Sequence, residues 1–103
     1  AYTGRSSILK FECHFHGWSD YLVKGEKPPF ESPEVTGVPD DVLRTVAVLP
    51  MEDTGAIEER LSQGDIAAII AEPSGASWAM IPPPAGFLQK LRELATAYGA
   101  VLI

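Results

Sequence analysis

The chain has 103 residues, 46% hydrophobic and 21% charged, the composition of one soluble globular domain. Its net charge of −6 argues against nucleic acid, because a phosphate-binding face has to be basic. A single cysteine, Cys13, excludes an internal disulfide and fits a reducing, cytoplasmic setting, and no apolar run is long enough to span a bilayer.

Ile8-Leu-Lys-Phe11 reads as a strand, expected over residues 8–12, leading into Glu12-Cys-His-Phe-His16. Trp18 to Lys24 is expected as a short helix with Trp18, Tyr21 and Leu22 on one face. Gly25 to Asp41 holds Pro28, Pro29, Pro33 and Pro39 with Gly25 and Gly37, which excludes regular structure. Thr45-Val-Ala-Val-Leu49 is a second strand, halted by Pro50. Asp53 is placed to cap a helix whose apolar pair is Ile57 and Leu61, and Gly64 closes it.

Ile66-Ala-Ala-Ile-Ile-Ala71 follows, a short apolar run stopped by Glu72 and Pro73. An uninterrupted run of this kind reads as a strand buried on both faces, as in a parallel sheet. Pro84 is expected near the start of the last helix, with Phe87, Leu88, Leu91, Leu94, Ala95 and Tyr98 as its buried stripe and Gly99 just beyond its end. Ala100 to Ile103 is a fourth strand. Alternating strands and helices give an α/β fold, a mostly parallel sheet with flanking helices joined by right-handed crossovers. The last strand has no successor and the first residues hold neither an initiator Met nor a helix start, so residues 1–103 are expected to be a partial domain.

Open α/β sheets bind ligands outside the carboxyl ends of their strands, and Glu72 stands at such an end. On its own it reads either as a solvated strand-end carboxylate or as a site group, which burial would oblige to be hydrogen-bonded or paired. Glu12-Cys-His-Phe-His16 is the densest cluster of reactive side chains. If the first strand continues through it, Glu12, His14 and His16 share one face, with Cys13 and Phe15 on the other. Two histidines at this spacing can ligate zinc or iron, but no second cluster supplies the remaining ligands, so no metal is expected.

Several segments in register resemble the class III pyridoxal-phosphate (PLP) aminotransferases, the family of the glutamate-1-semialdehyde 2,1-aminomutases. They are Ala1-Tyr-Thr-Gly-Arg5, Lys10-Phe-Glu12, Phe15-His-Gly-Trp18, Ile70-Ala-Glu-Pro-Ser-Gly-Ala-Ser-Trp78, Ile81-Pro-Pro-Pro-Ala-Gly-Phe-Leu88, Leu91-Arg-Glu-Leu94 and Tyr98-Gly-Ala-Val-Leu-Ile103. The resemblance implies the large domain of a fold-type I enzyme, which moves an amino group between an amino compound and a carbonyl compound through a Schiff base to PLP. It places Phe15 as the aromatic stacked on the cofactor ring, His16 beside it, Glu72 near the phenolic oxygen and Ser77 facing substrate. Aminomutases usually carry Asn where Ser77 stands, which favours transamination of another amine over strict isomerisation. The family often has Gly at Cys13 and Tyr at Phe15, so Phe15 keeps the stacking face and lacks the hydroxyl.

The same resemblance puts the Schiff-base lysine, the Asp that pairs with the pyridine nitrogen and the phosphate-binding turn outside residues 1–103. No catalytic residue is therefore expected within the segment, and Lys10, Lys24, Lys27 and Lys90 are not candidates for the Schiff base. The parent is expected to be a homodimer acting on small amino and keto substrates, with no nucleic acid and no membrane. Two alternatives stay open, a self-contained α/β binding module and a metal-dependent hydrolase built on His14 and His16.

Overall fold

Four short apolar segments pair side by side into one parallel sheet. The computed structural model describes residues 2–30, 35–76 and 80–103, with β1 at Ser7–Phe11, β2 at Val46–Leu49, β3 at Ile66–Ile69 and β4 at Val101–Leu102. Their order across the sheet is β2-β1-β3-β4. Ile8 registers with Val46 and Phe11 with Leu49, Leu9 with Ile69, and Ile69 with Leu102, every pairing parallel. All four expected strands are present, β1 shifted by one residue at its full length and the other three each a residue or more shorter than expected, and the sheet is parallel as expected.

Three helices connect them among the described residues. They are α1 at Asp40–Arg44, α2 at Thr54–Ser62 and α3 at Phe87–Tyr98. Asp53 caps α2 as expected, its Oδ1 accepting the Ala56 N–H at 2.8 Å. Ile57 and Leu61 bury the same face of α2 one turn apart, and Phe87, Leu91, Leu94 and Ala95 bury a stripe of α3. These side chains share one core with Leu9 and Phe11, which lie two residues apart and so on one face of β1. Phe11 meets Phe87 edge to face, with ring centroids 5.1 Å apart. Each such Leu, Ile or Phe, fully buried, contributes roughly 1.5–3 kcal/mol.

The other face of β1 carries Lys10, also wholly buried, whose Nζ donates to the Leu22 carbonyl at 2.6 Å. Lys24 Nζ donates to the carbonyls of Leu43 and Val46 at 2.7 and 2.6 Å, pinning the end of α1 to the start of β2. No helix among the described residues is long and apolar enough to cross a membrane.

Three local expectations are corrected. Residues 18–24 form a single turn rather than a helix, with the N–H groups of Leu22 and Val23 both donating to Ser19 O. The Leu22 carbonyl, which a further helical turn would need, is taken by Lys10. Pro84 does lie near the start of α3, just ahead of it: its carbonyl accepts the Phe87 N–H at 3.0 Å, and the helix begins beyond Gly86. Leu88 is exposed, outside the buried stripe. The short helix α1 occupies the end of the irregular region, where Pro39 followed by Asp40 and Asp41, with Arg44 in the last turn, satisfies helix-end electrostatics.

The topology opens one crevice. The chain leaves β1 toward β2 on one side, whereas it leaves β3 toward β4 on the other. Right-handed crossovers then place these two connections on opposite faces of the sheet. Adjacent strands whose connections diverge in this way form a topological switch point, here between the carboxyl ends of β1 and β3.

Candidate functional site

At that switch point the loops after β1 and β3 are clasped together. β1 ends at Phe11 because Cys13 takes a left-handed conformation, with φ of 61°, and its N–H turns to Gly25 O at 2.8 Å. The alternation expected for Glu12, His14 and His16 on a continuing strand therefore does not occur. His14 instead drops into the interior, wholly buried, its ring 5.5 Å from that of Phe11. Its Nδ1 accepts the Glu72 N–H at 3.0 Å, and its Nε2 lies 3.2 Å from Met51 Sδ. Accepting at Nδ1 assigns the ring proton to Nε2 in the neutral imidazole, directed at the sulfur.

Glu72 closes the clasp from the other side, its Oε1 accepting the N–H of Phe15. Two consecutive residues of one loop thus hold both the backbone and the carboxylate of a single residue of the other. The separation in sequence is 58 residues for the first bond and 57 for the second. Burial pushes His14 below its ordinary value of 6.5, with the Glu72 carboxylate opposing and the Lys10 ammonium assisting, so the ring is neutral at pH 7.

Phe15 and His16 sit half-buried at the mouth of the crevice. The Phe15 ring meets Trp18 edge to face at 5.3 Å, and Trp18 is 77% exposed. Phe15 is thus beside the Glu72 loop and not deep between helix and sheet. His16 Nε2 is buried and without a hydrogen-bond partner among the described residues. Burial, then Lys10 and His14, lower the His16 ring to about 4, with Glu72 opposing. A buried polar atom left unsatisfied is rare enough to require an explanation. Gly17 supplies the positive φ, 88°, that turns the chain away, and a Cβ there would meet nothing.

The loop after Glu72 is tied at its neck. Ala76 and Ile81 exchange backbone hydrogen bonds at 2.9 and 3.1 Å, and Gly75 N–H returns to Glu72 O at 3.1 Å. Ser77 and Trp78, within this loop, lie outside the described residues. Among the described residues no group of three or more His, Cys, Asp or Glu is placed to hold a metal ion. The nitrogens of His14 face Glu72 and Met51 rather than a common cation site.

Two residues of this region escaped sequence reasoning. The sequence offers His14 as a strand-end histidine or metal ligand and excludes Lys10, on the first strand, as a Schiff-base lysine; neither reading gives the side chain its place in the core. The signal for Lys10 was available: a lysine in mid-strand on a sheet covered on both faces has to be buried. Burial lowers it to about 8, with Glu26 and Glu72 pulling the other way.

The chain is similar in sequence and in fold to known proteins. Glutamate-1-semialdehyde 2,1-aminomutase 1 of Staphylococcus aureus (strain Newman) is 38% identical over 107 residues, covering 99% of this chain and 25% of its own length. An omega-transaminase from Sphaerobacter thermophilus superposes with a TM-score of 0.82 at 36% identity, covering 98% of this chain and 26% of its own. A transaminase with PLP bound gives 0.84 at 30% identity, over 98% of this chain and 25% of its own. The chain shares its sequence and its fold with a segment of the class III PLP aminotransferases. It spans about a quarter of the length of these relatives. Its four-stranded parallel sheet is part of the fold-type I sheet of such class III enzymes. No protein-family model matches the chain.

Proposed function

We propose that this chain is the cofactor-facing segment, a partial domain, of a PLP-dependent aminotransferase or aminomutase. The whole enzyme transfers an amino group between a small amino compound and a carbonyl compound, works in the cytoplasm and assembles as a homodimer. The observation that carries the reading is the clasp of Glu72 by His14 and Phe15 at the β1/β3 switch point, in a chain aligned along nearly its whole length with an aminomutase.

The residues present fit the group. PLP, when bound, supplies the electron sink that lets a bond to the amine-bearing carbon be broken. Phe15 offers an aromatic face at the crevice mouth, and a flat cationic ring is attracted to such a face. His16 brings a buried nitrogen that lacks a partner among the described residues. Glu72 brings a carboxylate already held by a backbone N–H, so its orientation is fixed in advance. Phe15, His16 and Glu72 are assigned to cofactor binding and Ser77 to the substrate side, where Ser in place of Asn favours transamination. The Schiff-base lysine, the pyridine-pairing Asp and the phosphate cradle are assigned to the rest of the enzyme.

The test is made on the full-length protein. Purified protein is expected to carry the visible absorbance of bound PLP and to convert an amino donor and a carbonyl acceptor into the exchanged pair. Phe15→Ala is expected to weaken cofactor retention by roughly 0.5–1.5 kcal/mol plus lost burial. Residues 1–103 alone are expected to give no turnover above free PLP. Failure of the full-length protein to bind PLP and to transfer an amino group would overturn the reading.

A further inference from the structure

We infer that His14 is a positioning residue, whose neutral imidazole fixes the Glu72 backbone so that the Glu72 carboxylate and the Phe15 ring are presented to the crevice together. The inference rests on the aminotransferase reading above and adds a role to a residue that touches no substrate.

The geometry is reciprocal. Glu72 follows Ile70 and Ala71, which leave β3, and without an anchor its backbone has only the turn to Gly75 to hold it. His14 supplies the anchor from inside the core, where Phe11 and Met51 immobilise its ring. The Glu72 side chain then reaches back to the N–H of the very next residue, Phe15. Neither bond forms without bringing the other near, so the loops after β1 and β3 move as one body.

Only a neutral ring can do this. Protonation would set a second N–H, at Nδ1, against the N–H of Glu72, and two donors cannot share a hydrogen bond. The titratable groups facing His14 are Lys10 from β1, Glu72 from the loop after β3 and, on its own loop, His16, itself neutral; Met51, from the loop after β2, does not titrate. Burial and Lys10 keep the ring neutral against the single opposing carboxylate, which protects the clasp through the physiological range.

The experiment compares wild type, His14→Leu and His14→Asn in the full-length protein loaded with PLP. Leu keeps the apolar packing and removes the acceptor, whereas the Asn Oδ1 falls near the place of Nδ1. Amide hydrogen exchange is read at Glu72 and Phe15, with Leu9 and Ile69 as controls in β1 and β3, and the PLP dissociation constant is measured alongside. His14→Leu is expected to speed exchange at Glu72 and Phe15 and to raise the dissociation constant, each by roughly three- to tenfold, the worth of one net hydrogen bond. Asn is expected to recover part of both, with the control amides unchanged throughout. Unaltered exchange at Glu72 in His14→Leu overturns the role. So does faster exchange with an unchanged dissociation constant, or an Asn variant no closer to wild type than Leu. Wild-type protein that binds no PLP instead sinks the aminotransferase reading, and the exchange measurement then still decides whether His14 holds Glu72.

Discussion

Lys10 and Leu22 hold the irregular stretch before α1 against the face of the sheet opposite the Leu9/Phe11 core. The Lys10 amine, wholly buried on β1, donates at 2.6 Å to the Leu22 carbonyl in the irregular stretch before α1. A buried ammonium is costly unless it is hydrogen-bonded and offset by opposite charge. Here Leu22 O supplies the bond, and Glu26 and Glu72 supply the charge. The contact also explains why residues 18–24 stop after one turn.

This burial gives stability a definite pH dependence. Lys10 titrates at about 8 when folded, against 10.5 when unfolded. Between these values the unfolded chain still binds a proton that the folded chain has released, so stability rises with pH across the window and is lost as pH falls through about 8. Lys10→Met removes the effect. Urea midpoints of wild type and variant, measured at several pH values from 8 to 10.5, are expected to show wild type gaining on the variant. A constant or shrinking difference would count against the burial of the amine.

Cys13 stands at φ of 61°, where a side chain other than glycine is strained. A β-branched residue there is expected to be worse than cysteine and glycine no worse, since glycine relieves the strain while adding disorder to the unfolded chain. Chemical denaturation is expected to place Cys13→Val about 1–2 kcal/mol below wild type and Cys13→Gly within about 0.5 kcal/mol of it. Equal stabilities for Val and Gly would show that the turn adapts to its residue.

How far the sequence announced all this follows from the range of the interactions involved. β2 and β3 were legible because apolar runs ending at Pro50 and at Glu72-Pro73 carry their own stop signals. α2 and α3 were legible because Asp53 and the Leu91/Leu94/Ala95 spacing act within a few residues. The turn at 18–24 was misread because its ending depends on Lys10, 12 residues upstream of the Leu22 carbonyl it captures. Strand order placed Phe15 and Glu72 at neighbouring carboxyl ends, so their proximity was foreseeable. The His14 clasp was not, because a left-handed Cys13 reverses the side on which His14 falls, and periodicity cannot signal a single residue of that kind.

Gly75 stands at the neck of the loop after Glu72. Its φ is 103°, and a Cβ built there would lie 2.2 Å from the Ile81 carbonyl oxygen. That neighbour is backbone and itself pairs with Ala76, so it cannot retreat without opening the neck of the loop. Gly75→Ala is expected to cost roughly 1–3 kcal/mol of local strain, released by breaking the Ala76–Ile81 pair. Faster amide exchange at Ala76 and Ile81, with Ile57 and Leu61 unchanged, is the expected readout. Wild-type protection at both amides would show that the loop has another way to close.

The Glu72 carboxylate opposes the downward shift of both histidines, and its removal has a predictable sign. Glu72→Gln retains a carbonyl oxygen that can accept the Phe15 N–H but carries no charge. With the charge gone, burial and Lys10 act on His14 and His16 with less opposition, so both rings titrate lower still. His16 already titrates at about 4, so its unfolded form binds a proton from 6.5 downward that the folded form refuses, and stability falls with pH across that range. In Glu72→Gln the decline is expected to continue below 4, making the variant the more acid-labile of the two. Proton NMR titration of the two imidazoles should move both midpoints down relative to wild type. Midpoints that stay in place or rise would mean that the carboxylate is too well screened to act on the rings, and that its bond to Phe15 is its only contribution to the clasp.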